Sequence, residues 1–295
     1  MKIGVSLFVN ERTGKPDLMF RRVEELGFDA LIVPEHAIIP VKHKTPYPAG
    51  GGEIPDWYSH MPDPFVLLGI AAAVTSRIKL MTGICLVPEH NPMVLAKEVA
   101  TVDYFSGGRM WFGIGAGWLA DETEIMGVEF AKRWPVTREC IRAMKELWTK
   151  PEAGFEGKYV KFPAVRSYPK PVQKPHPPVL IGANGGAKGP ARVLRDVVEI
   201  GDGWMPLRLK PDKLAENLAT LKKMCADAGR DFSKLDVTMF RPFEQDDLKR
   251  TFEEYEAAGC HRFVVGTEAL YRKGVALEPA TWEKELEELA RRYLI

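Results

Sequence analysis

Cysteine is scarce in this chain, and its placement gives it little to do. Cys85, Cys140, Cys225 and Cys260 include no C-x-x-C pair, and no histidine lies at zinc-ligand spacing from them. That excludes a zinc ribbon and a dithiol redox motif. A chain of 295 residues buries enough core to need no disulfide framework, so the four thiols are expected as small buried residues. There is no excess of charge either. Basic and acidic residues number 41 and 40, and the positive field that recruits nucleic acid is missing. The longest clean apolar run, residues 65–74, is about half of a membrane span. The N-terminal segment reaches Asn10-Glu11-Arg12 too soon for a secretory apolar region. A cytoplasmic protein without nucleic-acid or membrane partners is expected. Histidine pairs of the H-x-H type, which metal-dependent hydrolase barrels use, are absent, and no metal is expected.

What is present is alternation. Short apolar runs read as strands at 3–9, 30–33, 78–87, 110–114, 179–181, 204–207, 235–240 and 263–265. Between them apolar residues recur at helical spacing, as in Leu18, Met19, Val23 and Leu26, or Val136, Cys140, Ile141, Met144 and Leu147. Apolar strands alternating with helices predict an α/β fold with a parallel sheet covered on both faces. Eight repeats with no mid-chain linker predict closure into one (β/α)8 TIM barrel over residues 1–295. A doubly wound open sheet is the alternative, and adjacency of the first and last strands decides between them. Two connections are long. Residues 38–62 carry Pro40, Pro46, Pro48, Pro55 and Pro62 with Gly50-Gly51-Gly52. As an insertion after the second strand they fall on the face where barrel active sites lie, and are expected to form a lid or pocket wall. Residues 154–178 are expected as a hairpin-like insertion before the fifth strand, at the opposite face.

Barrel logic directs attention to strand C-terminal ends. The second strand ends in Glu35-His36, and an imidazole there serves as acid, base or hydrogen-bond donor near neutral pH. A lone histidine is more often a structural one. The fourth strand runs into Gly115-Ala116-Gly117-Trp118-Leu119-Ala120, a permissive G-x-G-x-x-A match. It comes fourth in the strand order rather than first, and the residue spaced like a Rossmann acid, Glu139, falls in a helical stripe. A Rossmann site is therefore disfavoured, while small residues still let backbone approach a flat ring or a phosphate. The fifth strand ends in Gly182-Ala183-Asn184-Gly185-Gly186-Ala187-Lys188 and enters a helix, with Arg192 close behind. Such a turn offers unpaired N–H groups and suits an anion. Arg208, Arg241 and Glu268 each follow a strand and are candidates for the pocket wall.

These pieces together resemble the luciferase-like flavin and deazaflavin oxidoreductases, over nearly the whole chain. The match is closest to the group of probable F420-dependent oxidoreductases. It is most specific from His90-Asn91-Pro92-Met93 to Asp103, through Ser106-Gly107-Gly108-Arg109, into Gly113-Ile114-Gly115-Ala116-Gly117-Trp118. Pro169-Lys170-Pro171-Val172-Gln173 and Gly201-Asp202-Gly203-Trp204 fit the same group. The resemblance implies a (β/α)8 barrel with coenzyme F420 bound at the strand C-terminal face and its ring against the third strand. A non-proline cis peptide at Gly83-Ile84 is implied, with Thr82, Gly83 and Ile84 at the ring and Gly115 and Ala116 beside it. Asn184, Gly185, Gly186 and Lys188 would take the phosphate, and Glu35 and His36 would reach ring or substrate.

Two departures narrow the expectation. Trp118 stands where F420-dependent sugar-phosphate dehydrogenases place a glutamate, which argues against sugar-phosphate oxidation. Ala116 stands where bacterial luciferases place an arginine near the flavin phosphate, which weakens the case for FMN. An F420-dependent hydride transfer to or from a small molecule is the expected activity. An FMNH2-dependent monooxygenase is the alternative, and a cofactor-binding protein without turnover the second. Trp57, Tyr58, Trp118 and Arg241 are the expected substrate pocket, suited to a planar or apolar molecule. A homodimer is expected because family members commonly dimerise.

Overall fold

Along the chain the elements run β1 (Lys2–Ser6), α1 (Pro16–Glu25), β2 (Ala30–Val33), α2 (Pro64–Val74), β3 (Lys79–Thr82), β4 (Cys85–Leu86), α3 (Pro92–Phe105) and β5 (Met110–Gly115). They continue α4 (Ala120–Ile125), α5 (Arg133–Thr149), β6 (Ala153–Glu156), β7 (Lys161–Val165), β8 (Val179–Ile181), α6 (Ala191–Ile200), β9 (Gly203–Trp204) and α7 (Pro211–Asp227). The last are β10 (Asp236–Phe240), α8 (Leu248–Ala257), β11 (Arg262–Gly266) and α9 (Pro279–Tyr293). The computed structural model describes residues 1–48, 52–184, 189–242, 244, 247–266 and 279–294.

Adjacency of the ends is settled by pairing. β1 runs parallel to β11, Lys2 opposite Arg262 and Ser6 opposite Gly266. The order β3-β2-β1-β11-β10-β9-β8-β5-β4, with β3 also paired to β5, closes the sheet. The barrel has eight strand positions because β3 and β4 are two pieces of one. The interruption falls at the cis Gly83-Ile84 peptide: β3 pairs with β2 and β5, while β4 pairs only with β5. An unbroken strand over 78–87 is therefore corrected to two short ones. The sixth strand is also shorter than expected. Gly203 and Trp204 pair with both neighbours, after which Pro206 offers no N–H and pairing resumes only as a bridge from Leu207 to Phe240. β6 and β7 form an antiparallel pair between α5 and β8.

Local chemistry explains the helix starts nearest the site. Asp63 and Asn91 accept N–H bonds from the first turns of α2 and α3, and each precedes a proline at the first helical position. The core is double. Most buried side chains fill the layer between strands and helices. A second cluster lies within the barrel: Ala30, Ile32, Met81, Leu180, Met205 and Val264, with Trp111, Ile84 and Phe240 packed on it. At the strand N-terminal end a wholly buried Arg262 donates to Asp29 (2.7 Å), Asp236 (3.2 Å) and Thr238 (2.9 Å) and lies 4.6 Å over the Trp111 ring. All four cysteines are buried thiols. Among the described residues no helix is long and apolar enough to cross a membrane.

Candidate active site

A cavity of about 760 Å³ opens at the strand C-terminal ends, lined from β2, the β3–β4 break and the segments following β5, β8 and β10. Its floor is the Ile84 side chain, and two glycines make room for it. A Cβ on Gly115 would lie 2.0 Å from Ile84 Cδ1, and one on Gly182 would lie 2.5 Å from Ile84 Cγ2. At the break itself, a Cβ on Gly83 would lie 2.1 Å from Ile32 Cγ2. Small residues around the third strand thus set the height and shape of the floor.

One wall is Pro34-Glu35-His36, continuing β2. His36 is buried, with Nδ1 2.6 Å from Oε2 of the equally buried Glu122 in the first turn of α4. Its Nε2 accepts from the Trp118 indole N–H at 3.2 Å. A carboxylate on one side and a donor on the other define the neutral tautomer with the proton on Nδ1. Glu35 turns away from that pair. It accepts the Leu86 N–H at 2.5 Å and bonds His90 Nε2 at 2.8 Å. Burial opposes a charged His90, but the bond to Glu35 and the charges of Glu35, Glu98 and Asp63 outweigh it and raise its pKa. Burial, and then Glu35, push the Cys85 thiol well up. Glu35, Cys85 and His90 place ligand atoms within 4.8 Å of one another, yet Glu35 and His90 already satisfy each other. Beneath them Glu89 accepts from Thr123 Oγ1 at 3.0 Å. Burial, and then the charge of Glu122, lift Glu89 to about 8.

The 38–62 connection supplies the roof. Tyr58 packs edge-on to His36 (5.1 Å between centroids) and to Trp118 (6.2 Å), and stacks on Trp57 at 4.1 Å. Tyr58, unlike Trp57, lines the cavity. The connection is tied to α4 by Asp121, which accepts from Lys44 N (2.9 Å), Thr45 N (3.0 Å) and Thr45 Oγ1 (2.7 Å). Those bonds, the Lys44 one foremost, hold the Asp121 carboxyl down at about 2. Glu122 Oε1 adds a bond to Ile38 N at 3.3 Å. Gly50 and Gly51 lie outside the described residues.

The structure brings Glu35, His36, Tyr58, Gly83, Ile84, Ala116, Trp118, Asn184 and Arg241 to one cavity. Thr82 is fully buried and donates to Gly113 O at 2.7 Å, and Gly115 lies behind Ile84. Asn184 exchanges two bonds with the Leu207 backbone, at 2.5 and 2.8 Å. Arg241 follows β10 with φ of 52°. Gly185, Gly186 and Lys188 lie outside the described residues. Glu122, Arg133 and Trp134 escaped the sequence reading. The signal for Glu122 was available: helices after barrel strands begin on the catalytic face, and it stands in such a first turn.

Comparison with known proteins places this geometry. A model of the luciferase-like monooxygenase family matches residues 18–293. The chain belongs to that family. It is 42% identical over 233 residues to an uncharacterised protein of Mycobacterium tuberculosis, covering 78% of this chain and 80% of the other. An F420-dependent glucose-6-phosphate dehydrogenase of Amycolatopsis mediterranei is 32% identical over 189 residues, 62% of this chain and 50% of that one. An FMNH(2)-dependent dimethylsulfone monooxygenase of Pseudomonas putida is 33% identical over 135 residues, 45% of this chain and 35% of that one. Among solved structures, a Streptomyces bottropensis monooxygenase superposes with a TM-score of 0.72 at 22% identity, covering 100% of this chain and 99% of that one. The coenzyme F420-dependent tetrahydromethanopterin reductase of Methanopyrus kandleri gives 0.66 at 20% identity, covering 90% and 93%. This luciferase-like chain thus has both F420- and FMN-dependent neighbours on the same barrel.

Proposed function

We propose that the chain is an F420-dependent oxidoreductase that moves hydride between the reduced deazaflavin and a small, planar or apolar substrate. The observation that carries this is one cavity with the His36–Glu122 pair on one wall and the Gly83-Ile84 floor beneath. The cavity fits the group. Its volume of about 760 Å³ lies within the usual range of about 300–1,000 Å³ for such sites, and Ile84, Leu86 and Phe240 offer apolar surface to a flat ring. Gly83, Ile84 and Ala116 would hold the ring, and Asn184, Gly185, Gly186 and Lys188 would contribute to holding the phosphate. Bound there, a deazaflavin supplies or accepts hydride at ring carbon C5. His36 handles the accompanying proton at Nε2, while Glu122 keeps Nδ1 protonated and stabilises the imidazolium that forms. Trp118 holds Nε2 until a substrate group replaces its indole N–H. The aromatic roof excludes water from the transfer.

The exposed side of the barrel offers an apolar face that suits the proposed homodimer. α2 carries no charged residue, and Val66 on it is exposed, as are Met93, Val94 and Phe105 on α3.

A second reading, an FMNH2-dependent monooxygenase, is favoured by one finding. The arginine missing at Ala116 has a counterpart in Arg133, which lines the same cavity. Titration with F420 and FMN, oxidised and reduced, followed by absorbance, separates the two. F420 should bind more tightly than FMN by about tenfold or more, near 1.4 kcal/mol. Tighter FMNH2 binding with substrate-dependent oxygen uptake would establish the second reading. Tight F420 binding without oxidation by any of a substrate panel would leave a binding protein.

A further inference from the structure

The cavity holds acids and arginines in unequal states. Its two acids are already answered: Glu35 bonds His90, and Asp196 bonds Arg138 Nη1 at 3.0 Å. Two of its arginines are not. Arg133, in the first turn of α5, donates from Nη1 to Phe130 O (2.9 Å) and from Nε to Gly117 O (3.3 Å), with its guanidinium 3.6 Å over the Phe130 ring. These bonds aim the side chain, and none of them neutralises its charge. Arg192, in the first turn of α6, is exposed, and no acid pairs with it among the described residues. Burial, and then the charge of Arg192, lower the pKa of Arg133. The two cations therefore feel each other, and the acid that also feels Arg192, Asp196, gives its ion pair to Arg138. A separate observation points the same way. Asp196 is only 2% exposed and lines the cavity, yet its Oδ2 has no hydrogen-bond partner. A buried acceptor lacking a donor is destabilising, and a ligand hydroxyl would supply the missing donor.

We propose that Arg133 and Arg192 bind the anionic end of an elongated ligand, and that Asp196 Oδ2 accepts from a hydroxyl on the chain leading to that end. The inference rests on the flavin-type reading above for the ring alone. The chemistry recognised is a polyol chain ending in phosphate, or in carboxylates further along. Charge-assisted bonds from a planar guanidinium are the strong ones for both groups, and the field of two neighbouring arginines draws such an anion.

The test compares ligands that share a ring and differ in the tail. The deazaflavin that ends at its ribityl chain is set against F420 forms carrying the phosphate with no glutamate and with several. Riboflavin and FMN form a second pair. Arg192→Gln, at an exposed helix position, is the variant safest for folding, and Arg133→Gln is its companion. Each should weaken anion-bearing ligands by about tenfold or more and leave the phosphate-free ring within about twofold. A loss that grows with the number of glutamates assigns carboxylates to the arginines, and one equal for all phosphorylated forms assigns the phosphate. Either outcome supports the proposal. Equal losses with and without the anion, or no loss, overturn it. If no ring binds the wild-type chain, the preceding reading fails, and inorganic pyrophosphate then decides this one separately. It should raise the Tm of the wild type and not that of the double variant, and an equal rise in both overturns the site.

Discussion

His36 and Glu122 are 86 residues apart in the chain, yet Nδ1 of one lies 2.6 Å from Oε2 of the other, both buried, with His36 on the cavity wall. The barrel makes this contact by bringing the end of β2 and the first turn of α4 to the same face. A short charge-assisted bond in such a place fixes which imidazole nitrogen carries the proton.

Replacing Glu122 with Gln should therefore act on His36 without removing it. The amide NH2 donates toward Nδ1, the proton moves to Nε2, and Nε2–H then meets the Trp118 N–H. Single-turnover hydride transfer should fall by about tenfold to a hundredfold, while cofactor affinity changes by less than about twofold. His36→Ala should cost about 10²–10⁴ in turnover. Wild-type turnover with lost cofactor binding in that variant would make His36 a docking residue instead.

Glu89 sets a pH dependence of stability. Its pKa rises on folding from 4.5 to about 8, so between those values the folded state holds more protons than the unfolded one. Stability then falls as pH rises through the window, and the loss is complete above about 8. Glu89→Gln keeps an acceptor for Thr123 Oγ1 and should flatten that fall. Urea unfolding at about pH 5 and about pH 8 measures it, with a wild-type difference on the order of ~2–4 kcal/mol. An equal slope in the variant places the proton uptake on another group.

Gly115→Ala puts a methyl where Ile84 Cδ1 stands. The far end of Ile84 yields more easily than the strand and rises into the cavity. Cofactor binding should weaken by about tenfold, with stability lowered by about 1 kcal/mol. Adding Ile84→Val, which deletes that methyl, should restore most of the affinity; strictly additive losses in the double-mutant cycle would show that the two positions are not coupled.

Arg262→Ala leaves Asp29 and Asp236 facing each other without their shared cation at the lower end of the barrel. Loss of a buried pairing partner costs about 3–5 kcal/mol, and urea unfolding should show a loss of stability of that size. Cofactor affinity, read at a temperature where the variant is folded, should be unchanged because the site lies at the opposite end.

How far the sequence carried is clearest at particular residues. Pro92 and Phe105 bound α3 as read, because an Asn-Pro start and a glycine stop are local signals. Closure was legible in the repeat count. The break at Gly83 was not legible from hydropathy, since apolar residues flank it on both sides from Leu80 to Val87; it entered through family resemblance. His36 was found because strand ends are predictable. Its partner Glu122 belongs to a different repeat, and hydrophobic periodicity says nothing about which two loops meet. Arg133 was hidden for a similar reason: it opens a helix after a connection long enough to carry it anywhere on the rim.

Among the described residues, the Arg262–Trp111 layer stops the lower end of the barrel with a bonded guanidinium and an indole, and the cavity opens at the strand C-terminal mouth, between the aromatic roof and the arginine rim. Under the proposed function, a ring held on Ile84 would lie deeper than the substrate, and such a vessel would impose an order: the cofactor would enter before the substrate and leave after the product.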